Sequence, residues 1–389
     1  MQQTQPRAGA LPLALFAAST FFFWAAMYVY VPVLPLYVQQ AGASLTMVGL
    51  VVGSYGVTQL LLRIPLGVWS DRLGRRKPFI AGGMLAAALG GLGLALWPEP
   101  WPLFFSRALT GVGASSWVAF TVLFSSYFPP GRAVRAMSLV TFVNGVAQMT
   151  STYAGGWLAE TFGIATPFYA GALLALLGYA CTLGIAEEAR PVAAPLRARD
   201  VAEIVTVPLL VAVSGIAIVS QYAVFITAYT FTPLYAEQLG ATRADQGLLT
   251  TVMLFSYTMA MLATTWLADR FGDRATVIAG TALTAAAAFA TPLLGSLPLL
   301  AGAQALSGLG RGLSFPVLMG LSIRAVPQHQ RATAMGVFQA VYAIGMFAGP
   351  VAGGPIADWF GLPAVFFSTA ALTALSLVPA YATLPGRKG

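Results

Sequence analysis

Three arginines, Arg63, Arg107 and Arg311, stand inside long apolar runs of a 389-residue chain. A guanidinium is permanently charged and presents a planar fork of donors, so in an apolar layer it must face a cavity, an acceptor or an anion. Arg63 lies near one end of its run and can extend its head to the interface, which makes it structural. Arg107 lies in the first third of its run. Arg311 is about halfway along, the costliest position of the three. Two readings of Arg311 follow. It anchors an anionic or acceptor-bearing substrate, or it bonds to broken backbone or to Tyr and Gln side chains. None of the twelve acidic residues falls in the middle of a run. A transporter trading a proton for a cation would want a carboxylate there.

The same inventory excludes most enzyme chemistry. There is one histidine, His329, and one cysteine, Cys181. Neither a metal cluster nor a buried carboxylate pair can be assembled from such spacing. No catalytic residue, metal site or cofactor is expected. The polar residues inside the runs are neutral: Tyr28, Tyr55 and Gln59, Asn144 and Gln148, Gln221 and Tyr222, Gln339 and Tyr342. Several pairs sit three or four residues apart, hence on one helix face. Tyr55, Gln59 and Arg63 make such a stripe. With Arg311 and Arg107, these nine are the candidate substrate-binding residues; each could instead make an interhelical hydrogen bond.

The elements that hold them must be membrane helices. The chain is 58% hydrophobic and 8% charged, with mean hydropathy +0.78, whereas a soluble domain is roughly one quarter charged. Spans need roughly 20 apolar residues. Twelve are expected, at 12–38, 46–67, 79–97, 101–127, 135–159, 165–186, 206–236, 246–267, 276–295, 299–324, 333–357 and 363–384. The first run is too long for a signal-peptide core. The net charge of +8 does not mean nucleic acid. Apart from the three embedded arginines and Arg243, the other 16 of the 20 basic residues fall in the termini or in one alternating set of loops. That asymmetry places both termini in the cytoplasm.

The chain is also duplicated. Pro35-Leu36-Tyr37-Val38-Gln39-Gln40-Ala41-Gly42-Ala43 returns 198 positions later as Pro233-Leu234-Tyr235-Ala236-Glu237-Gln238-Leu239-Gly240-Ala241. The same offset carries Asp71-Arg72-Leu73-Gly74 onto Asp269-Arg270-Phe271-Gly272, Ala154-Gly155-Gly156 onto Ala352-Gly353-Gly354, and Phe162-Gly163 onto Phe360-Gly361. Two halves of six helices in the same orientation follow: 1–186 and 206–389, joined by a linker at 187–205. The linker reads as a solvated tether or as a short amphipathic helix on the inner leaflet. Internal repeats in an apolar chain place a substrate path between the halves.

Gly67-Val68-Trp69-Ser70-Asp71-Arg72-Leu73-Gly74-Arg75-Arg76-Lys77 resembles the loop between the second and third helices of the major facilitator superfamily (MFS), G-x-x-x-D-R-x-G-R-[RK]. In the second copy Asp269 and Arg270 persist, while Thr265 and Asp273 replace a Gly and an Arg. Arg107 followed by Gly111-Val112-Gly113 is similar to the family's fourth-helix motif; Gln304 takes the arginine's place in the tenth span. Gly345, Gly349-Pro350 and Gly353-Gly354 have the spacing of the family's antiporter motif, but in the eleventh span rather than the fifth. There Ser151-Thr152 stand for Gly-Pro, so packing and bending are the expected roles.

The resemblance implies an all-α fold of two six-helix bundles. It implies that Gly67, Asp71, Arg72, Gly74, Arg75 and Arg76, with Asp269 and Arg270, form a conformational switch closing the cytoplasmic face. It also implies a monomeric secondary transporter in the cell (inner) membrane, exporting amphipathic or drug-like solutes by alternating access. The alternative cargo is a small organic anion held by Arg311 and Arg107. The partners expected are the small-molecule substrate, the lipid bilayer and protons as a candidate coupling ion, with no nucleic acid.

Overall fold

Among the described residues six glycines take positive φ, and all six fall into pairs related by the 198-residue offset: Gly42 with Gly240, Gly74 with Gly272, and Gly163 with Gly361. Each ends or begins a long helix, where a left-handed residue stops the helical ladder and only glycine adopts it without strain. The duplication is therefore a repeat of backbone turns as well as of residues. The structure, a computed structural model, describes residues 10–128, 133–187, 203–324, 326–327 and 330–386, with the side chains of 10, 71, 133–138 and 332 excepted.

Among the described residues the regular structure is helical, with no strand. The first half comprises α1 (Ala10–Tyr28), α2 (Leu34–Gln40), α3 (Leu45–Leu73), α4 (Lys77–Leu96), α5 (Pro100–Ser115), α6 (Trp117–Ser125), α7 (Ala133–Phe162) and α8 (Thr166–Leu183). The second comprises α9 (Pro208–Ile226), α10 (Thr232–Gln238), α11 (Arg243–Phe271), α12 (Asp273–Ala290), α13 (Leu297–Arg324), α14 (Arg331–Phe360), α15 (Leu362–Leu375) and α16 (Leu377–Thr383). Proline occupies the first turn of α2, α4, α5, α8, α9, α10 and α15. There its missing N–H costs nothing and its fixed φ favours the helix.

Among the described residues, eleven helical stretches are long and apolar enough to cross a membrane. The 30-residue α7 is not among them, so the twelfth expected span rests on its length and place in the repeat. Large apolar side chains such as Leu89, Trp101, Phe105, Leu173, Leu262 and Leu375 point out of the bundle. Such a perimeter suits lipid and not water. The helices also overrun the apolar runs: α3 continues through Asp71 and Arg72 to Leu73, past the expected end at 67. Hydropathy measures the apolar layer, whereas a helix continues into the headgroup region.

Two expected spans are broken. In the first, Pro32 removes a donor, and Val31 and Val33 bond three residues back instead, so α1 and α2 are separated by 29–33. In the second, a π-turn, Thr227–Phe231, separates α9 from α10. These breaks occupy the same place in the repeat. The expected spans at 101–127 and 363–384 are likewise divided, at Ser116 and Ser376. The expected linker at 187–205 falls largely outside the described residues. Glu187 at its start accepts from the backbone N–H groups of Arg76 and Lys77.

The halves meet along two pairs of helices, α3 against α14 and α7 against α11. Small residues allow the approach. A Cβ on Gly49 would lie 2.1 Å from the Pro350 carbonyl oxygen, and one on Gly156 would lie 2.8 Å from the Gly247 Cα. Both contacts lie toward the arginine-poor face. Gly345 and Gly349 serve a different seam, against the α9 backbone at Ile218 and Tyr222.

Candidate substrate site between the halves

The two helix breaks face one another. Tyr28 and Val31 from the first, and Phe225 and Tyr229 from the second, line a central pocket with Met27, Tyr55 and Arg107. Even with open solvent counted, its empty space is about 220 Å³, below the range of about 300–1,000 Å³ usual for ligand sites. This conformation is therefore a constricted one. The walls are aromatic and interlocked: Tyr28 meets Tyr229 edge-on at 6.0 Å, Phe225 meets Tyr229 at 5.1 Å, and Tyr55 stacks on Phe225 at 6.2 Å. Two of these three contacts join the halves.

Each arginine has its own setting. Arg107 lies over Tyr55 at 4.3 Å and donates to the Tyr30 hydroxyl at 3.1 Å and to Thr110 Oγ1 at 3.3 Å. All three partners belong to the first half. Arg311 lies over Tyr257 at 4.7 Å and donates to Gln221 Oε1 at 3.3 Å. Tyr28 and Tyr229 are its neighbours across the pocket. Arg63 bridges the halves. It donates to Gln59 on its own helix, and to Tyr342 Oη at 2.8 Å and the Gln339 backbone carbonyl at 3.3 Å on α14. It is 5% exposed, so it does not reach for the interface as its position near the end of the apolar run led us to expect. Polar partners on α14 hold it inside.

No carboxylate among the described residues pairs with any of the three. The Nε of each, the Trp24 indole N–H and the Tyr229 hydroxyl are buried without a hydrogen bond of regular geometry. Three permanent cations in an apolar layer are thus offset by ring faces, amide oxygens and hydroxyls alone. The cation–π contacts are worth up to about 2 kcal/mol each, less than a buried charge needs. The chamber has donors to spare and few acceptors.

The structure thus sorts the candidate residues. Tyr28, Tyr55 and Arg107 line the pocket, and Arg311 with Gln221 lies beside it. Gln59, Gln339 and Tyr342 gather around Arg63. On α7 Gln148 donates to Asn144, apart from both groups. The Tyr222 backbone packs against Gly345 and Gly349. Sequence reasoning missed Phe225, Tyr229, Tyr257 and Trp24. A clue existed: Trp24 with Tyr28, and Phe225 with Tyr229, are spaced four apart beside proline-marked breaks.

Of the residues expected to form a switch, Gly67, Asp71 and Arg72 lie in the last turns of α3, and Asp269 and Arg270 in the last turn of α11. The side chain of Asp71 lies outside the described residues. Gly74 and Gly272 make the two turns. Arg75 is exposed, and Arg270 covers Trp266 at 5.3 Å.

Two bundles related by a repeat, with a pocket at paired helix breaks, define a membrane transporter. The sequence pattern of the Major Facilitator Superfamily matches residues 16–235 and 213–388, so the chain belongs to that family and is not an enzyme. It is 27% identical over 376 residues to the multi-drug resistance efflux pump PmrA of Streptococcus pneumoniae, covering 92% of each chain. It is 30% identical over 387 residues to an MFS-type transporter of Salmonella typhimurium, covering 93% of this chain and 94% of that one. A D-xylose–proton symporter of known structure superimposes with a TM-score of 0.78 over 97% of this chain and 98% of its own, at 15% identity.

Proposed function

We propose that this chain is an alternating-access transporter that exports small amphipathic organic compounds across the cell (inner) membrane. It works as a monomer with twelve crossings, α7 included, and with both termini in the cytoplasm. The observation that carries the reading is the pocket at the two equivalent helix breaks, walled by both halves. Discontinuous helices at matching positions of a repeat mark the substrate site of such carriers. The efflux relative supports the direction. The Gly67–Arg76 loop, with Asp269 and Arg270, is the latch of the cytoplasmic face, and protons are the candidate coupling ion.

A second reading concerns the cargo. Two buried arginines and the half-buried Arg311, with no carboxylate partner among the described residues, favour an organic anion bearing an aromatic ring, seated between Arg311 and Arg107. A cationic compound would meet uncompensated positive charge. The test is a thermal-shift screen of purified protein against aryl carboxylates and sulfonates, neutral aromatics and aryl quaternary ammonium dyes. Counterflow of each hit in proteoliposomes follows. Saturable counterflow of any class supports the transporter, and hits confined to the anions support the second reading. Absence of counterflow for every hit sinks the transport proposal; cationic hits sink the anionic one.

A further inference from the structure

Two carboxylates at the arginine-poor face make the same contact in duplicate. Glu160, near the end of α7, accepts from the backbone N–H of Arg243 at 2.8 Å. That amide is the first of α11, in the other half. Asp358, near the end of α14, accepts from the N–H groups of Leu45 at 3.0 Å and Thr46 at 2.8 Å, and from the Thr46 hydroxyl at 2.6 Å. Those groups open α3, again in the other half. The 198-residue offset carries Glu160 onto Asp358 and Leu45 onto Arg243.

The electrostatics are one-sided. Each acid sits at the C-terminal end of its own helix, where the dipole is already negative and an anion is disfavoured. Each meets the positive N-terminus of a helix it reaches only when the halves close at this face. The first N–H groups of α3 and α11 gain an acceptor in the same movement. When this face opens, both ends lose. Asp245 provides the contrast: it caps α11 from within the same half, through Thr242. Gly156 and Gly354, one turn from the two acids, let the paired helices approach to that distance.

We infer that Glu160 and Asp358 are a paired latch that holds the outer face closed, setting how often the carrier opens to the outside. The inference rests on the alternating-access reading. Both acids are exposed, so solvent weakens the contacts. With one bond against three, Glu160 should favour closure about threefold and Asp358 about tenfold.

The experiment measures the two populations directly. Spin labels are placed at Gln39→Cys and Gln238→Cys, exposed positions at the outer ends of the two halves, in a Cys181→Ser background. Electron–electron distance distributions are recorded in lipid nanodiscs. Glu160→Gln should raise the open-to-closed ratio about threefold, Asp358→Asn about tenfold, and the double variant roughly thirtyfold. Asp245→Asn should leave the ratio unchanged, and Asp358→Glu, which keeps the charge, should stay nearer the parent. The latch is overturned if the double variant keeps the parent distribution, if Asp245→Asn shifts it equally, or if the neutral variants lose helical structure. A parent protein that shows one distance under all conditions overturns the alternating-access reading itself.

Discussion

At the scale of single residues, Arg311 carries the sharpest expectation. It has one amide oxygen, two ring faces and the neighbouring Tyr229 hydroxyl for a permanent charge. A direct bond to a charged acceptor is worth about 1.5–3 kcal/mol. Arg311→Gln should therefore weaken binding of the compound found by screening about tenfold or more, with little change in melting temperature. Arg311→Lys should recover only part, because the point charge lacks the planar fork. Titration calorimetry decides it: equal affinity in parent and Arg311→Gln, or loss of folding, returns Arg311 to the scaffold. Arg63 answers a different question because two of its three partners, Gln339 and Tyr342, lie in the other half. Tyr342→Phe deletes the 2.8 Å bond and keeps the ring at 5.3 Å. The cost, about 1.5–3 kcal/mol, falls on the conformation seen here. Maleimide labelling of single cysteines along the α3–α14 seam should quicken, and an unchanged rate would show that Arg63 ties nothing together.

At the scale of helices, identical chemistry should give opposite results at two seams. Gly49 belongs to a seam between the halves, with its virtual Cβ 2.1 Å from the Pro350 oxygen. Gly111 belongs to a seam within the first half, with its virtual Cβ 2.0 Å from Thr58 Oγ1 and 2.7 Å from the Tyr55 oxygen. Overpacking costs about 1–3 kcal/mol. Gly49→Ala can avoid the cost by opening the outer face, so labelling there should increase while the melting temperature holds. Gly111→Ala has no such escape and should melt several degrees lower. If both variants simply melt lower, the α3–α14 seam does not open.

At the scale of the whole molecule, alternating access requires the two halves to part at the outer face in every cycle. Thr152 on α7 and Thr251 on α11 meet there, hydroxyl to hydroxyl at 2.9 Å. A Thr152→Cys/Thr251→Cys pair in the Cys181→Ser background should cross-link under mild oxidation. Transport in proteoliposomes should stop and return on reduction. Full activity of the cross-linked protein would mean that the halves do not separate along α7 and α11. The same geometry explains why the pocket is small here: the seams at the arginine-poor face are shut, and the aromatic contacts from Tyr28 to Tyr229 and from Tyr55 to Phe225 draw the breaks together.

The amino-acid sequence determined the architecture because its causes are local and periodic. Apolar run length sets the spans, and glycine at 42, 74 and 163 and their images sets the turns. The 198-residue repeat makes two bundles of one plan, and that plan extends to the tyrosines: Tyr37 donates to Leu94, and Tyr235 donates to Pro292. Span interruptions were less legible, since Thr227–Phe231 carries no proline of its own and the nearest, Pro233, lies in the first turn of the helix that follows. The site was half legible. Arg107, Arg311, Tyr28 and Tyr55 stood out as polar groups in an apolar layer. Phe225 and Tyr257 did not, because an aromatic residue in such a layer looks like lipid contact until its helix face is known. Arg63 was placed at the interface from its distance along the chain; only α14 reveals that Gln339 and Tyr342 keep it inside. Glu160 and Asp358 read as ordinary helix-end acids, because the helix each one caps begins 83 and 313 residues away. Which helix end an acid meets depends on how two rigid halves dock, and no local pattern encodes that.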